Sequence, residues 1–163
     1  MSNRCIQVRE LSATAFAPYG RLIGAPDRPP DVSRENLDWW GGLYDLDFPD
    51  TASLGLLAIR RSSFELTMME RHVRAAEVFI PIKGVGVLVF APPLRKDTGE
   101  DGPDMSQAVA FIVDGSKGLV IERGAWHNPG FAITASLEFI LTVRKHTADD
   151  VEIIKIDKAS VAL

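Results

Sequence analysis

At 163 residues, with a net charge of −4 and a balance of 46% hydrophobic to 25% charged residues, the chain has the make-up of one soluble globular domain spanning 1–163. Its 18 Lys and Arg are scattered among 22 Asp and Glu, which excludes a basic field for nucleic acid or for an anionic membrane surface. The one cysteine, Cys5, excludes an intrachain disulfide and fits a reducing compartment; with no leader pattern and no apolar run long enough to span a bilayer, a cytoplasmic protein is expected.

Ile6 to Val8 reads as an edge strand. In LSATAFAPYG, Ser12 is an N-cap, Phe16 an apolar contact, and Pro18 with Gly20 ends the helix within two turns. Arg21 to Ile23 forms a short strand, and Gly24 to Gly42, with three prolines and many polar residues, reads as loop. Trp39 and Trp40 on that loop are expected to lid a core edge, a pocket or a partner subunit. Short β-rich runs follow: Leu54 to Arg60, Phe64 to Met69, Glu77 to Ile82, Val85 to Phe90, Ala108 to Val113, Leu119 to Ile121, Phe131 to Ile133, Leu137 to Val143 and Val151 to Ile156. The PPLRKDTGEDGPD segment reads as a mobile polar loop, and the Gly84–Gly86 GVG as a hairpin feature, since no helix follows it to cradle phosphate. Many short strands broken by Gly, Pro, Asp or Ser predict an all-β fold, a sandwich or a closed barrel.

The stretch ERHVRAAEVFIPIKG sets polar groups against a strand. Side chains alternate across a strand, so Glu70 and His72 share one face and Arg71 takes the other or flanks the rim. Glu77 shares a face with Phe79 and Pro81, and His127 sits downstream in RGAWHNPG. Glu70, His72, Glu77 and His127 make a ligand set for a divalent metal of the Zn, Mn, Fe or Ni kind. The same four could run general acid–base chemistry without a metal. Each alone is unremarkable, since a histidine or glutamate near a strand end is ordinarily structural or solvated. The spacing is what singles them out: His72 lies five before Glu77, Glu77 seven before Gly84, and His127 three after Gly124.

That spacing resembles the two motifs of the cupin superfamily, small antiparallel β-barrels of the double-stranded β-helix, or jelly-roll, type. In the first motif a His-x-His pair precedes a Glu and then a Gly; here Glu70 stands in the first His place, and His72, Glu77 and Gly84 match. In the second, Pro-x-Gly-x-x-His, Gly124 and His127 match and Glu122 replaces the proline. ERH, FIPIKG and PDMSQAVAFIVDGSKGLVIERGAWHNPGFA, with the opening LSATAFAPYG, further resemble the ureidoglycolate lyase family, once called ureidoglycolate hydrolases. The likeness is weakest from Ala25 to Ser53 and after Arg144.

The resemblance implies a cupin-fold homodimer of allantoin and purine catabolism that splits ureidoglycolate into glyoxylate and urea. Glu70, Arg71, His72, Phe79, Pro81, Gly84, Gly118, Trp126, His127 and Pro129 carry over by the motif match. The chain departs at Glu77, Ile121 and Asn128, where some members carry Gln, Tyr and His. Lysis of this small-molecule substrate needs a base for the hydroxyl proton, an acid for the departing nitrogen and a clamp for the carboxylate. Glu77 or His127 is the expected base, and His72 or a metal-bound water the acid. Arg61, Arg71, Arg123 and Arg144 are candidate clamps because the guanidinium fork matches two oxygens, with Arg61 the choice and Trp126 a pocket wall. Tyr19 reads as a structural cap and His146 as a surface residue. Two alternatives stay open: another metal-dependent cupin enzyme, an isomerase or oxygenase on a small carboxylic acid, and a non-catalytic cupin that binds a small ligand. All of these readings expect the four acid–base groups to converge in the hollow of a rolled-up sheet.

Overall fold

Short strands that each carry one apolar face must find a second layer, and this chain supplies two. The computed structural model describes residues 4–94 and 101–163. In chain order the elements are β1 (Arg4–Arg9), α1 (Ala13–Phe16), β2 (Gly20–Ile23), β3 (Val32–Arg34), β4 (Leu37–Trp39), β5 (Ala52–Arg60), β6 (Glu65–His72) and β7 (Glu77–Lys83). They continue with β8 (Gly86–Ala91), β9 (Val109–Val113), β10 (Gly118–Ile121), β11 (Trp126–Ala132), β12 (Ser136–Arg144) and β13 (Val151–Ala162). Six of them close a barrel in the order β1-β13-β6-β11-β8-β9, and five form a sheet in the order β2-β10-β7-β12-β5. This is the expected all-β, cupin-type architecture with one short helix near the N-terminus. Among the described residues no helix is long and apolar enough to cross a membrane.

Two separate cores follow from strand alternation. Ile6, Leu66, Met69, Val87, Val89, Ala110, Trp126 and Val161 fill the hollow of the closed barrel. The outward face of β8 and β9 instead packs Leu88, Phe90, Phe111 and Val113 against Phe79, Leu119, Ile121, Leu137 and Phe139 of the five-stranded sheet. The helix plugs one edge of this second layer. Ser12 Oγ accepts from Ala15 N at 3.2 Å, and Phe16, fully buried, meets Phe90 edge-on at 5.1 Å. Tyr19, also buried, joins the same aromatic cluster.

Three expectations need correction. Ile6 to Val8 is no edge, because β1 pairs parallel with both β13 and β9 and so closes the barrel, which removes two exposed ladders at once. The supposed loop from Gly24 to Gly42 contains the β3–β4 hairpin, whose residues are all exposed and therefore lack the apolar alternation that marks a strand. Arg28 holds this hairpin by pairing with Asp31 at 2.8 Å and donating to Gly41 O at 2.9 Å, while Trp40 Nε1 donates to Arg28 O at 3.0 Å. Finally, β11 begins at Trp126, five residues ahead of the expected Phe131. Pro129 is accommodated in a bulge between Asn128 and Phe131, where Gly130 adopts φ +114° and its missing Cβ would lie 2.7 Å from Val87 O. Of the PPLRKDTGEDGPD loop, residues 95–100 lie outside the described residues, and its flanks meet as a bridge between Pro93 and Pro103.

Candidate active site

β6 and β11 are neighbours in the barrel wall, with Glu70 directly opposite His127. The face that carries Glu70, His72 and His127 points out of the barrel, toward the five-stranded sheet. There Glu77, the first residue of β7, comes from the opposite layer, fixed by the pairing of Glu77 with Ile121. The four groups meet between the barrel wall and the second sheet, and not in the barrel hollow. Met69 and Trp126, the neighbours of Glu70 and His127 along their strands, take the alternate face and fill the hollow instead.

Glu77 Oε2 lies 3.3 Å from both His72 Nε2 and His127 Nε2, and Glu70 Oε1 lies 3.5 Å from His127 Nε2. His127 is 1% exposed and packs edge-on against Phe79 and stacked on Phe90. His72, Glu77 and Asn128 are also buried, and Glu70 is half-buried. The Nδ1 of His127 lies 3.0 Å from the Ala125 carbonyl, which can only accept, so Nδ1 carries the proton and Nε2 presents a lone pair. Burial pushes the Glu70 carboxyl above its ordinary value, with Glu77 adding to the shift and the two imidazoles opposing it. Burial pulls His127 down, yet the facing Glu77 carboxylate, the Ala125 carbonyl and Glu70 together outweigh it and hold the imidazole above its ordinary value.

A divalent ion fits this donor set. Ligand atoms of Glu70, His72 and His127 lie within 4.8 Å of one another. Glu77 Oε2 and His127 Nε2 are buried without a formed hydrogen bond, although each is a strong polar group. Bonds of ~2.0–2.2 Å to one ion set neighbouring ligand atoms roughly 3–3.5 Å apart, and Glu70 Oε1 and His127 Nε2 stand 3.5 Å apart.

Other sequence-predicted residues go elsewhere. Arg71 alternates to the opposite face of β6, where its guanidinium lies 4.5 Å over the Trp126 ring and donates to Glu152 at 2.7 Å and to Asp101 at 2.9 Å. Trp126, 1% exposed, belongs to the barrel core, so Arg71 and Trp126 form a stack on the far side of the wall. Arg61, one residue past β5, is exposed, with its backbone N–H on Ala135 O at 3.1 Å. Arg144 pairs with Asp50 at 2.8 Å, and His146 is exposed. Ile121 is buried in the inter-layer core. Asn128 Nδ2 donates to Met68 O at 3.3 Å and its Oδ1 accepts from Gly130 N at 3.0 Å, so it shapes the β11 bulge.

Sequence reasoning missed the groups behind His72. Thr147 Oγ1 lies 3.3 Å from its Nδ1, and the buried carboxylate of Asp150 lies 3.7 Å from it. They sit 75 and 78 residues downstream in KHTADD, a stretch whose polarity reads as surface; only the pairing of Val151 with His72 brings it here. Also missed was a cavity of about 180 Å³ lined by Tyr44, Asp47, Arg74, Ala75, Glu122 and Arg123. Its walls are the turn before Glu77 and the turn before His127, and the latter docks on β6 through Gly124 N to His72 O at 2.6 Å.

Comparison with known proteins shows the family. A family model described as "Ureidoglycolate lyase" matches residues 46–162. A curated protein named "Ureidoglycolate lyase" from Escherichia coli (strain SMS-3-5 / SECEC) is 33% identical over 156 residues, covering 91% of this chain and 92% of that protein. Proteins of the same name from Escherichia coli O139:H28 (strain E24377A / ETEC) and Shigella boydii serotype 18 (strain CDC 3083-94 / BS512) match at the same identity and coverage. With its metal-competent cluster between barrel and sheet and its near-full-length likeness to these proteins, the chain belongs to the ureidoglycolate lyase family.

Proposed function

We propose that the protein is a ureidoglycolate lyase, splitting ureidoglycolate into glyoxylate and urea. The observation that carries this is the convergence of Glu77 on two imidazoles and a second carboxylate at a buried point, in a chain of this family. In lysis the substrate hydroxyl loses its proton, its C–O bond becomes the aldehyde C=O, and the C–N bond breaks toward the ureido nitrogen, which takes up a proton. Glu77, alone in coming from the opposite layer, is the acid–base group: it accepts the hydroxyl proton and returns it to the departing nitrogen, so the reaction balances with no further reagent. A positioned group of this kind contributes ~10²–10⁴-fold.

Glu70, His72 and His127 would hold a divalent ion of the Zn, Mn, Ni or Fe kind. Such an ion, when bound, polarises the substrate oxygens and lowers the pKa of the hydroxyl. The surrounding Phe79 and Phe90 keep the site dry, which strengthens every charge interaction in it. Arg74 and Arg123, lining the cavity whose loops lead into Glu77 and His127, offer the guanidinium fork for the substrate carboxylate that Arg61 and Arg71 do not bring to this cluster. The test is direct: purified protein given ureidoglycolate should release glyoxylate and urea in equal amounts. Failure to release either, with a metal bound, overturns the reading.

We further propose that the protein works as a homodimer. The outer face of the five-stranded sheet carries a cross-strand row of Leu56, Ile140 and Ile80, extended by Leu54 and Ile82, with Leu54 77% and Leu56 64% exposed. A contiguous apolar sheet face of this kind is a contact surface in search of a cover. Sedimentation at micromolar concentration is expected to give twice the 17.9 kDa chain mass, and a monomer would remove this proposal.

A further inference from the structure

The two imidazoles present Nε2 to the same point but are held from behind by unlike partners. His127 leans on the Ala125 carbonyl, an acceptor that no side-chain change removes. His72 Nδ1 instead faces Thr147 Oγ1 at 3.3 Å and Asp150 Oδ2 at 3.7 Å. Asp150 is 2% exposed, and a carboxylate so deeply buried is costly unless the charge is used. One oxygen has a plain structural duty, since Asp150 Oδ1 accepts from Val73 N at 3.0 Å and from Arg74 N, pinning the turn that leads into Glu77. A neutral amide oxygen would serve there equally. The charge and the second oxygen are directed at His72.

We infer that Asp150, together with Thr147, is the positioning pair of His72. It holds the ring and keeps the proton on Nδ1, so that Nε2 offers its lone pair to the point shared with Glu70, Glu77 and His127. An imidazole protonated at Nε2 would put a donor there and could neither ligate nor accept. A carboxylate behind a histidine fixes the tautomer and raises the basicity of the far nitrogen. Both partners arrive through β13, whose first residue, Val151, lies opposite His72. The C-terminal strand therefore closes the barrel and completes the site with the same pairing.

The inference rests on the proposed lyase reading only for its activity arm. Asp150→Asn keeps the oxygen that Val73 and Arg74 need, but turns the group facing His72 into an amide donor, which selects the Nε2–H tautomer. Three results are expected. Nitrogen-15 spectra of the metal-free variant at pH 8 show His72 moved from the Nδ1–H to the Nε2–H form. Affinity for Mn²⁺ alone falls about 10–100-fold. kcat/KM for ureidoglycolate falls by a similar factor, with thermal unfolding of the metal-free protein little changed. Thr147→Val, which leaves the turn intact, shifts Mn²⁺ affinity in the same direction and carries the test if Asp150→Asn does not fold. Wild-type tautomer and Mn²⁺ affinity in the variants would falsify the assignment. A wild-type protein that releases no glyoxylate overturns the lyase reading and leaves the spectral and Mn²⁺ arms to decide this one.

Discussion

Glu77→Gln is expected to lower kcat for ureidoglycolate lysis by about 10²–10⁴-fold while Mn²⁺ affinity changes far less than in His72→Ala or His127→Ala. The substitution keeps size and shape, so the tight site beside Phe79 sees no cavity, and it removes only the basic oxygen. That oxygen lies 3.3 Å from both imidazole nitrogens, close enough to share their point of convergence. Glu77 is nonetheless set apart by its origin. Glu70, His72 and His127 come from two adjacent strands of one wall, whereas Glu77 opens β7 in the facing layer. The ligand triad thus lies on one wall and the acid–base group on the wall that faces it. Single-turnover measurement of glyoxylate release separates chemistry from product loss, and a Mn²⁺ titration of the same variant separates base from ligand. Lysis at the wild-type rate removes Glu77 from the mechanism; loss of Mn²⁺ binding as deep as in the histidine variants moves it into the ligand set.

How much of this could be read before the structure depends on the range of the interactions involved. Strands with a buried face announced themselves by local composition: the runs around Leu57, Phe79, Val89 and Leu141 carry β-branched and aromatic residues between turn formers, and each became a strand within a few residues of its expected bounds. The Glu70–His72 alternation and the glycine at Gly84 were legible for the same reason. Gly84 adopts φ +79°, and a Cβ there would fall 1.9 Å from Ser136 O, so the position tolerates no other residue without rebuilding the turn. What escaped was long-range. Nothing local in RCIQVR says that it pairs parallel with the far C-terminal strand, and nothing in KHTADD says that Asp150 will lie behind a histidine 78 residues earlier. The hairpin at Val32–Trp39 escaped for the opposite reason: it is exposed on both faces and held by the polar web around Arg28, so burial left no mark on its sequence. The location of the site between layers follows from which face of β6 and β11 meets the second sheet, and alternation separates the two faces of a strand without saying which layer covers each.

Removing the metal is expected to cost about 10²-fold or more in lysis and to reverse the pH dependence of stability. Without metal, both Glu70 and His127 hold their protons to higher pH in the folded protein than in the unfolded chain, whose values are the ordinary 4.5 and 6.5. From 4.5 upward the folded state therefore binds more protons than the unfolded one. The stability these groups contribute is fully present below their unfolded values and is lost as pH rises through their folded ones, so the chelated protein should unfold more readily as pH rises from 4.5 through 6.5. With Mn²⁺ present the slope turns over. Binding requires the deprotonated imidazoles and carboxylates and expels those protons, so affinity climbs with pH, and at 100 times Kd the ion adds about 2.7 kcal/mol. For a chain of this size that is roughly 5–10 °C in Tm. Thermal unfolding across this range, with chelator and with excess Mn²⁺, gives two lines that diverge upward in pH. Parallel lines would mean that the ion sits away from Glu70 and His127, and a chelated protein that gains stability with pH would mean that folding does not raise the proton affinity of these two groups.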